Sequence, residues 1–184
     1  AYDIEYVDGE LKVTPYSKEI TVTITGKTGS YTYDGEEKTV EGYDVEIDND
    51  LYTEDDFEFS GTASVSETNA GTYPMGLASD QFTNISENFE NVKFVVTDGE
   101  LDIGKGTLTI TADDTGKTYG DADPSKLTAT VKGLVNGETL PEDFYTVSRD
   151  AGEDVDEYVI HVTLSSKKRG PTKAGSTVKT DNYD

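Results

Sequence analysis

Apolar and polar residues alternate along most of this chain. Threonines separate Ile20, Val22 and Ile24 in EITVTIT, and Leu108, Ile110 and Ala112 repeat the arrangement in TLTITAD. A period of two sends one set of side chains to a buried face and the other to solvent, the signature of a half-buried β-strand. Stretches of the same kind, rich in Val, Ile, Thr, Tyr and Phe and punctuated by Gly, Asp, Asn or Pro, predict further strands at 39–47, 57–65, 72–77, 93–97, 127–134, 144–148 and 157–164. No window carries the i, i+3, i+4, i+7 stripe of an amphipathic helix, so the chain reads as all-β.

One phrase occurs twice, as YVDGEL at 6–11 and VTDGEL at 96–101. Each Asp-Gly pair lies between apolar runs and predicts a two-residue type I′ hairpin, because Gly accepts the positive φ that such a turn demands. The repetition extends further. KEITVTITGKTGSYTYDGEE lies on GTLTITADDTGKTYGDADP, LYTEDDFEFS on TLPEDFYTVS, and NAGTYPMGLAS on DVDEYVIHVTLSS. The organisation this predicts is a closing hairpin of a preceding repeat at 1–14, a first β-repeat domain at 15–104, and a second at 105–184 that lacks its closing strand. Short strands with frequent turns fit two tandem immunoglobulin-like β-sandwich domains. In NAGTYPM, Gly71 and Tyr73 match the start of a strand whose tyrosine bonds back across a corner; Tyr158 takes that place in the second repeat without the adjacent glycine. The alternative is a pair of β-grasp-like sheets, which require a helix at 86–92 or 137–144. Residues 2–13 resemble the strand that the second repeat lacks. They are expected to add to its open edge in another molecule, an edge that following residues would fill in a longer chain.

Lys and Arg number 15 against 38 Asp and Glu, a formal charge of -23 that repels phosphate backbones and argues against a nucleic-acid partner. The absence of Cys removes disulfides, thiolate metal sites and thiol nucleophiles. No apolar run approaches the roughly 18 residues of a membrane-spanning helix, so membrane insertion is not expected.

KTYGDADP, GLVNGET, NAGTY and VTDGELDI resemble the repeats of bacterial cell-surface proteins known as MBG domains, often strung in tandem in large adhesins of Gram-positive and gut bacteria. YDGEEKTVEGYDV, DDFEFSGTASV and GTYPMGL resemble a related repeat type of the same proteins. The resemblance implies a tandem stalk or adhesin segment at the bacterial cell surface or cell wall. It also implies contact with neighbouring repeats of the same chain, and a host glycan, mucin or cell-wall polymer as a further partner.

Residues that could carry chemistry are few. GKT occurs at 26–28 and 116–118, but Thr21 and Thr111 stand where a phosphate loop needs glycine, and strands follow where it needs a helix. His161 is the sole histidine and falls on the solvent face of a strand, with no partner for a catalytic triad or a histidine metal cluster. Acidic loops at 46–56, 113–123 and 149–158 are the metal candidates. Asp48, Asp50, Asp55 and Asp56 are the calcium ligands that could converge, although no Ca²⁺-loop motif is present, and no other cofactor is expected. Lys93 and Lys132 are compatible with an isopeptide crosslink, and Asn84-Ile85-Ser86 spells a glycosylation triplet. Lys167, Lys168, Arg169 and Lys173 reverse the local charge and are the candidate contact for an anionic polymer. No catalytic residue emerges. Repeated β-units joined by a short linker make an elongated, non-catalytic module. A glycan-binding module that stacks tyrosines on sugars, and a glycan hydrolase using an acidic pair, are the alternative functions.

Overall fold

The computed structural model describes residues 2–165 and 180–184. Its strands are β1 (Ile20–Gly26), β2 (Thr28–Thr32), β3 (Lys38–Glu41), β4 (Tyr43–Ile47), β5 (Phe57–Phe59), β6 (Ser64–Glu67), β7 (Gly71–Pro74), β8 (Phe82–Asn84), β9 (Val92–Thr97), β10 (Glu100–Gly104), β11 (Thr109–Ala112), β12 (Ala129–Lys132), β13 (Tyr145–Arg149) and β14 (Ile160–Leu164). Two three-stranded sheets run in the orders β4-β1-β9 and β2-β10-β7, and the remaining strands pair as β3-β6, β5-β8, β11-β12 and β13-β14. The architecture is all-β and consistent with a β-sandwich. Helical structure among the described residues is confined to 3₁₀ turns at Glu54–Asp56, Ser79–Gln81 and Thr180–Asn182, so 86–92 and 137–144 supply no helix for a β-grasp. Contacts group the chain into two units: Ala1–Gly29 with Thr39–Val65 and Tyr73–Leu101, and Ser30–Lys38 with Ser66–Thr72 and Asp102–Asp184.

In the first unit β1 is the central strand. It pairs antiparallel with β4, Ile24 opposite Val45, and parallel with β9, Val22 opposite Phe94. With both edges filled and one face covered, Ile20, Val22 and Ile24 are 0% exposed. Burial of each such side chain stabilises the fold by roughly 1.5–3 kcal/mol. The covering layer is the β5-β8 pair. Phe57 meets Phe94 at 5.5 Å between ring centroids, Tyr43 meets Phe82 at 5.5 Å, and Phe59 stacks on Phe82 at 4.7 Å. Two sheets face one another across an aromatic core, as a sandwich requires.

The Asp98-Gly99 pair does not close a hairpin. β9 pairs with β1 and β10 with β2 and β7, so this turn carries the chain from one sheet into another. Neither residue has a positive φ. The Asp98 carboxylate instead accepts the N–H groups of Gly76 (2.9 Å), Leu77 (2.8 Å) and Gly99 (2.8 Å). Glycine is needed for close backbone approach: a Cβ on Gly26 would lie 2.2 Å from Gly99 N, and one on Gly99 2.5 Å from Lys27 O. Asp8-Gly9 belongs to a stretch, 2–14, without regular secondary structure, and a Cβ on Gly9 would meet nothing within 4 Å.

In the second unit β11 pairs with β12, Ile110 opposite Val131, and β13 with β14, Val147 opposite Val162. These apolar residues are only half-buried. Full burial is reached around Tyr33, Ile103, Asn182 and Tyr183. Residues 182–184 run parallel beside the start of β11: Gly106 N–H donates to Asn182 O (2.8 Å), Asp184 N–H to Gly106 O (2.9 Å) and Leu108 N–H to Asp184 O (3.0 Å). The Tyr183 ring meets Tyr33 edge-on at 5.2 Å, and both hydroxyls donate to the Glu138 carboxylate. Burial, reinforced by Glu138, pushes the Tyr183 hydroxyl up to about 12. Asn182 accepts the Ala70 N–H (2.8 Å) and donates to Asn69 Oδ1 (3.2 Å).

The two copies of Asp-Gly therefore respond differently to substitution. Gly26→Ala and Gly99→Ala each force backbone apart and are expected to cost about 1–3 kcal/mol or more. Gly9→Ala is expected to leave stability within about 0.5 kcal/mol of the parent. Chemical denaturation of the three variants checks this.

Candidate functional site

The densest polar constellation among the described residues sits in the second unit, where the loop after β11 meets the end of β13. Arg149, the last residue of β13, spends all five N–H donors. Nε and Nη2 grip the Asp123 carboxylate at 2.9 Å each, Nη2 also reaches Glu153 at 2.8 Å, and Nη1 donates to the carbonyls of Asp150 and Gly152 at 2.8 Å each. Lys117 closes the square, 2.8 Å from Asp123 and paired with Glu153. The Tyr158 ring lies 5.4 Å from the guanidinium, and its hydroxyl donates to Asp154 O at 3.0 Å. That is the backward bond expected of a tyrosine corner, made from six residues beyond an Asp-Ala-Gly that echoes Asn-Ala-Gly of the first repeat. Gly152 is bare because a Cβ there would lie 1.9 Å from the Tyr158 ring.

The electrostatics fix every member of the cluster in its charged form. Hydrogen bonds from Arg149 and then Lys117 hold the Asp123 carboxyl at about 2. Lys117 and Arg149 lower Glu153, while Asp123 and Glu153 raise Lys117 and Arg149. None is poised to exchange a proton near neutrality, which general acid–base catalysis requires. What the arrangement does is mechanical: a planar, bidentate arginine ties two loops to one strand end. Beside it opens a cleft of about 890 Å³ whose rim includes Asp114, Lys117, Tyr119, Asp156 and Tyr158. Tyr119 is 70% exposed.

The residues singled out in the sequence are dispersed. Asp48 accepts the Thr21 N–H at 3.0 Å, and Asp56 accepts the N–H and hydroxyl of Thr53 at the 3₁₀ turn, bonds that lower its pKa. Asp50 and Asp55 stand at the surface nearby, and no group of three or more His, Asp or Glu able to hold a metal occurs among the described residues. His161 is exposed on β14, as its strand position predicts, and has a partner that sequence did not reveal, Asp150 at 2.9 Å. Lys93 and Lys132 lie on exposed strand faces, not the apolar faces an isopeptide crosslink needs. Both amide hydrogens of Asn84 are committed to the carbonyls of Ser86 and Phe89, and its oxygen accepts from Tyr52, so this side chain braces the core. Lys27 of the first GKT pairs with Asp44. Lys167, Lys168, Arg169 and Lys173 lie outside the described residues. The arginine cluster is not evident in the sequence because Lys117 and Asp123 lie in the loop before β12 whereas Arg149 and Glu153 lie at and just beyond the end of β13. The available signals were that KTYGDADP contains two of its members and RDAGEDVDEY the other two.

Comparison with known families decides what kind of unit this is. A model described as MBG domain matches residues 20–112, and one described as MBG domain (YGX type) matches 108–169. The chain belongs to the MBG domain family. No curated protein and no solved structure matches it. Within its YGX-type MBG repeat, Thr118 to Asp121 form a β-turn closed by Asp121 N–H to Thr118 O at 3.0 Å, with Gly120 at φ 88°. A positive φ at the third turn residue is the type II requirement that glycine meets without strain, and open space around its Cα shows that conformation, not crowding, selects it. The turn brings Lys117 and Asp123 of this MBG repeat within 2.8 Å of each other, Lys117 facing Glu153 and Asp123 facing Arg149.

Arg149→Lys keeps the charge but loses the fork, and is expected to lower the melting temperature by several degrees. The pH dependence has a definite sign. A carboxyl held below its ordinary value of 3.8 contributes stability that is complete above 3.8 and lost as pH falls through about 2. Asp123→Asn is expected to flatten the parent's acid limb over that window, as read by thermal melts from pH 5 to 2.

Proposed function

We propose that the chain is a non-catalytic tandem repeat segment of a bacterial cell-surface protein, a stalk or adhesin module displayed outside the cell or in its wall. Membership of both repeats in the MBG family carries this reading. It is supported by the way the polar side chains are spent: Arg149, Asp98, Asn84 and Asp56 all hold backbone or loops in place. Neighbouring repeats of the same chain are its first partners. A module of this kind transmits position and load, and its chemistry is that of bracing.

A second reading rests on one observation. The cleft beside Arg149 presents Tyr119, with an exposed ring, among carboxylates and a lysine, the apolar face and polar rim that a sugar ring uses. On that reading the module itself binds a host glycan, a mucin or a wall polymer.

Two measurements test these readings. Antibodies raised against the chain are expected to label intact cells of the producing bacterium; labelling only after permeabilisation overturns the surface assignment. On a glycan and mucin array the stalk reading expects no binding. The glycan reading expects binding that Tyr119→Ala reduces at least about tenfold, the equivalent of about 1.4 kcal/mol.

A further inference from the structure

GLVNGET, the phrase after β12, takes no part in the arginine cluster or its cleft, but its backbone is tightly set. Asn136 and Gly137 have φ of 50° and 69°, and Glu138 N–H closes the turn on Val135 O at 2.9 Å. Positive φ at both central residues is what a type I′ turn demands. Asn136 is the only residue other than glycine with positive φ among the described residues.

What this turn meets comes from far earlier in the chain. Asn136 Nδ2 donates to Gly35 O at 2.6 Å. Glu138 Oε1 accepts the Tyr33 hydroxyl at 2.8 Å, and its other oxygen accepts the hydroxyl of Tyr183, which in turn takes the Val135 N–H at 3.2 Å. Gly35 is shaped to the turn: its φ is 78°, and a Cβ there would lie 2.4 Å from Asn136 Nδ2 and 3.0 Å from Val135 Cγ2. Asn69 and Ala70, held by Asn182, come from the same part of the sequence. All these residues lie within the second unit, whereas the match to the YGX-type repeat begins only at residue 108. Among the described residues, the buried side chains of that unit are Tyr33, Ile103, Asn182 and Tyr183, so half of them precede the linker at 104–106.

We infer that the turn at 135–138 is a docking element by which this MBG repeat seats on the repeat before it, with Tyr33-Asp34-Gly35 and Asn69-Ala70 as the matching surface. Three features recognise the partner: a phenol for the Glu138 carboxylate, a glycine carbonyl for Asn136 and a backbone N–H for Asn182. A charged acceptor strengthens the first, and any side chain at Gly35 clashes with the second, so the pairing discriminates as well as holds. The second unit therefore draws its stability from residues that the first repeat supplies, and adjoining repeats fold as coupled elements. This rests on the reading of neighbouring repeats as partners and does not depend on a surface location.

Amide hydrogen exchange on the full chain, with circular dichroism to follow β content, is the test. The probes are the amides of Thr130, Ser148 and His161, in the β11-β12 and β13-β14 ladders. Tyr33→Phe, which removes one hydroxyl, is expected to speed their exchange about fivefold, and Gly35→Ala at least about tenfold. The amides of Val22 and Ile24 in β1 are expected to keep the parent's rates. In a Glu138→Ala background Tyr33→Phe is expected to add little, because both changes remove the same contact. Unchanged exchange at the three probes, acceleration spread equally over β1, or effects of Tyr33→Phe and Glu138→Ala that simply add overturns the inference. Each of these results leaves the labelling of intact cells, and with it the surface assignment, untouched.

Discussion

A strand satisfies its backbone only if something lies on each side of it, and much of this molecule follows from where that condition is met. β1 has β4 on one edge and β9 on the other. With its polar backbone groups consumed, its face becomes a dry surface on which Tyr52, Phe57, Phe82 and Phe89 close a core. β11 carries the same alternating residues but has a regular strand on one edge only among the described residues, and the same kinds of side chain remain half-buried.

Where apolar burial is thin, polar braces take its place. The second unit is held by Glu138 receiving two tyrosine hydroxyls, by Asn182 tied to Ala70 and Asn69, and by Arg149 saturating its donors. Single exposed ion pairs contribute little, but a bidentate arginine in a network of four charges resists the rearrangements that make isolated pairs worthless. In a chain with 38 acidic residues and 15 basic ones, cations are scarce, and two of them are concentrated here. Carboxylates outnumber the cations that could pair with them, and their mutual repulsion favours solubility over cohesion.

The elements most legible in the sequence were those whose information is local. Alternation located β1, β9, β11 and β14, and the repeat was visible in the matched phrases. Breaks within expected strands were not anticipated: 39–47 divides at Gly42, whose φ of 89° interrupts β-geometry, and 57–65 divides where Ser60 N–H turns to Gln81 O. Asp98-Gly99 misled because two physical reasons for glycine, a positive φ and the absence of a Cβ, look identical in sequence. Only the packing of Gly26 against Gly99 separates them. The grip of Arg149 on Asp123 was invisible for a related reason: that carboxylate comes from a loop more than twenty residues earlier, and a side chain's reach in space has no signature along the chain.

The parallel pairing of β1 with β9 fixes how the first repeat meets a pulling force. β1 begins at Ile20 and β9 ends at Thr97, at opposite ends of two strands that point the same way. Tension between those points slides one strand along the other, so the hydrogen bonds from Ile20 to Thr25 share the load and yield together. An antiparallel terminal pair would surrender them one at a time. A repeat wired in this way is a shear joint, and its resistance grows with the number of rungs in the ladder.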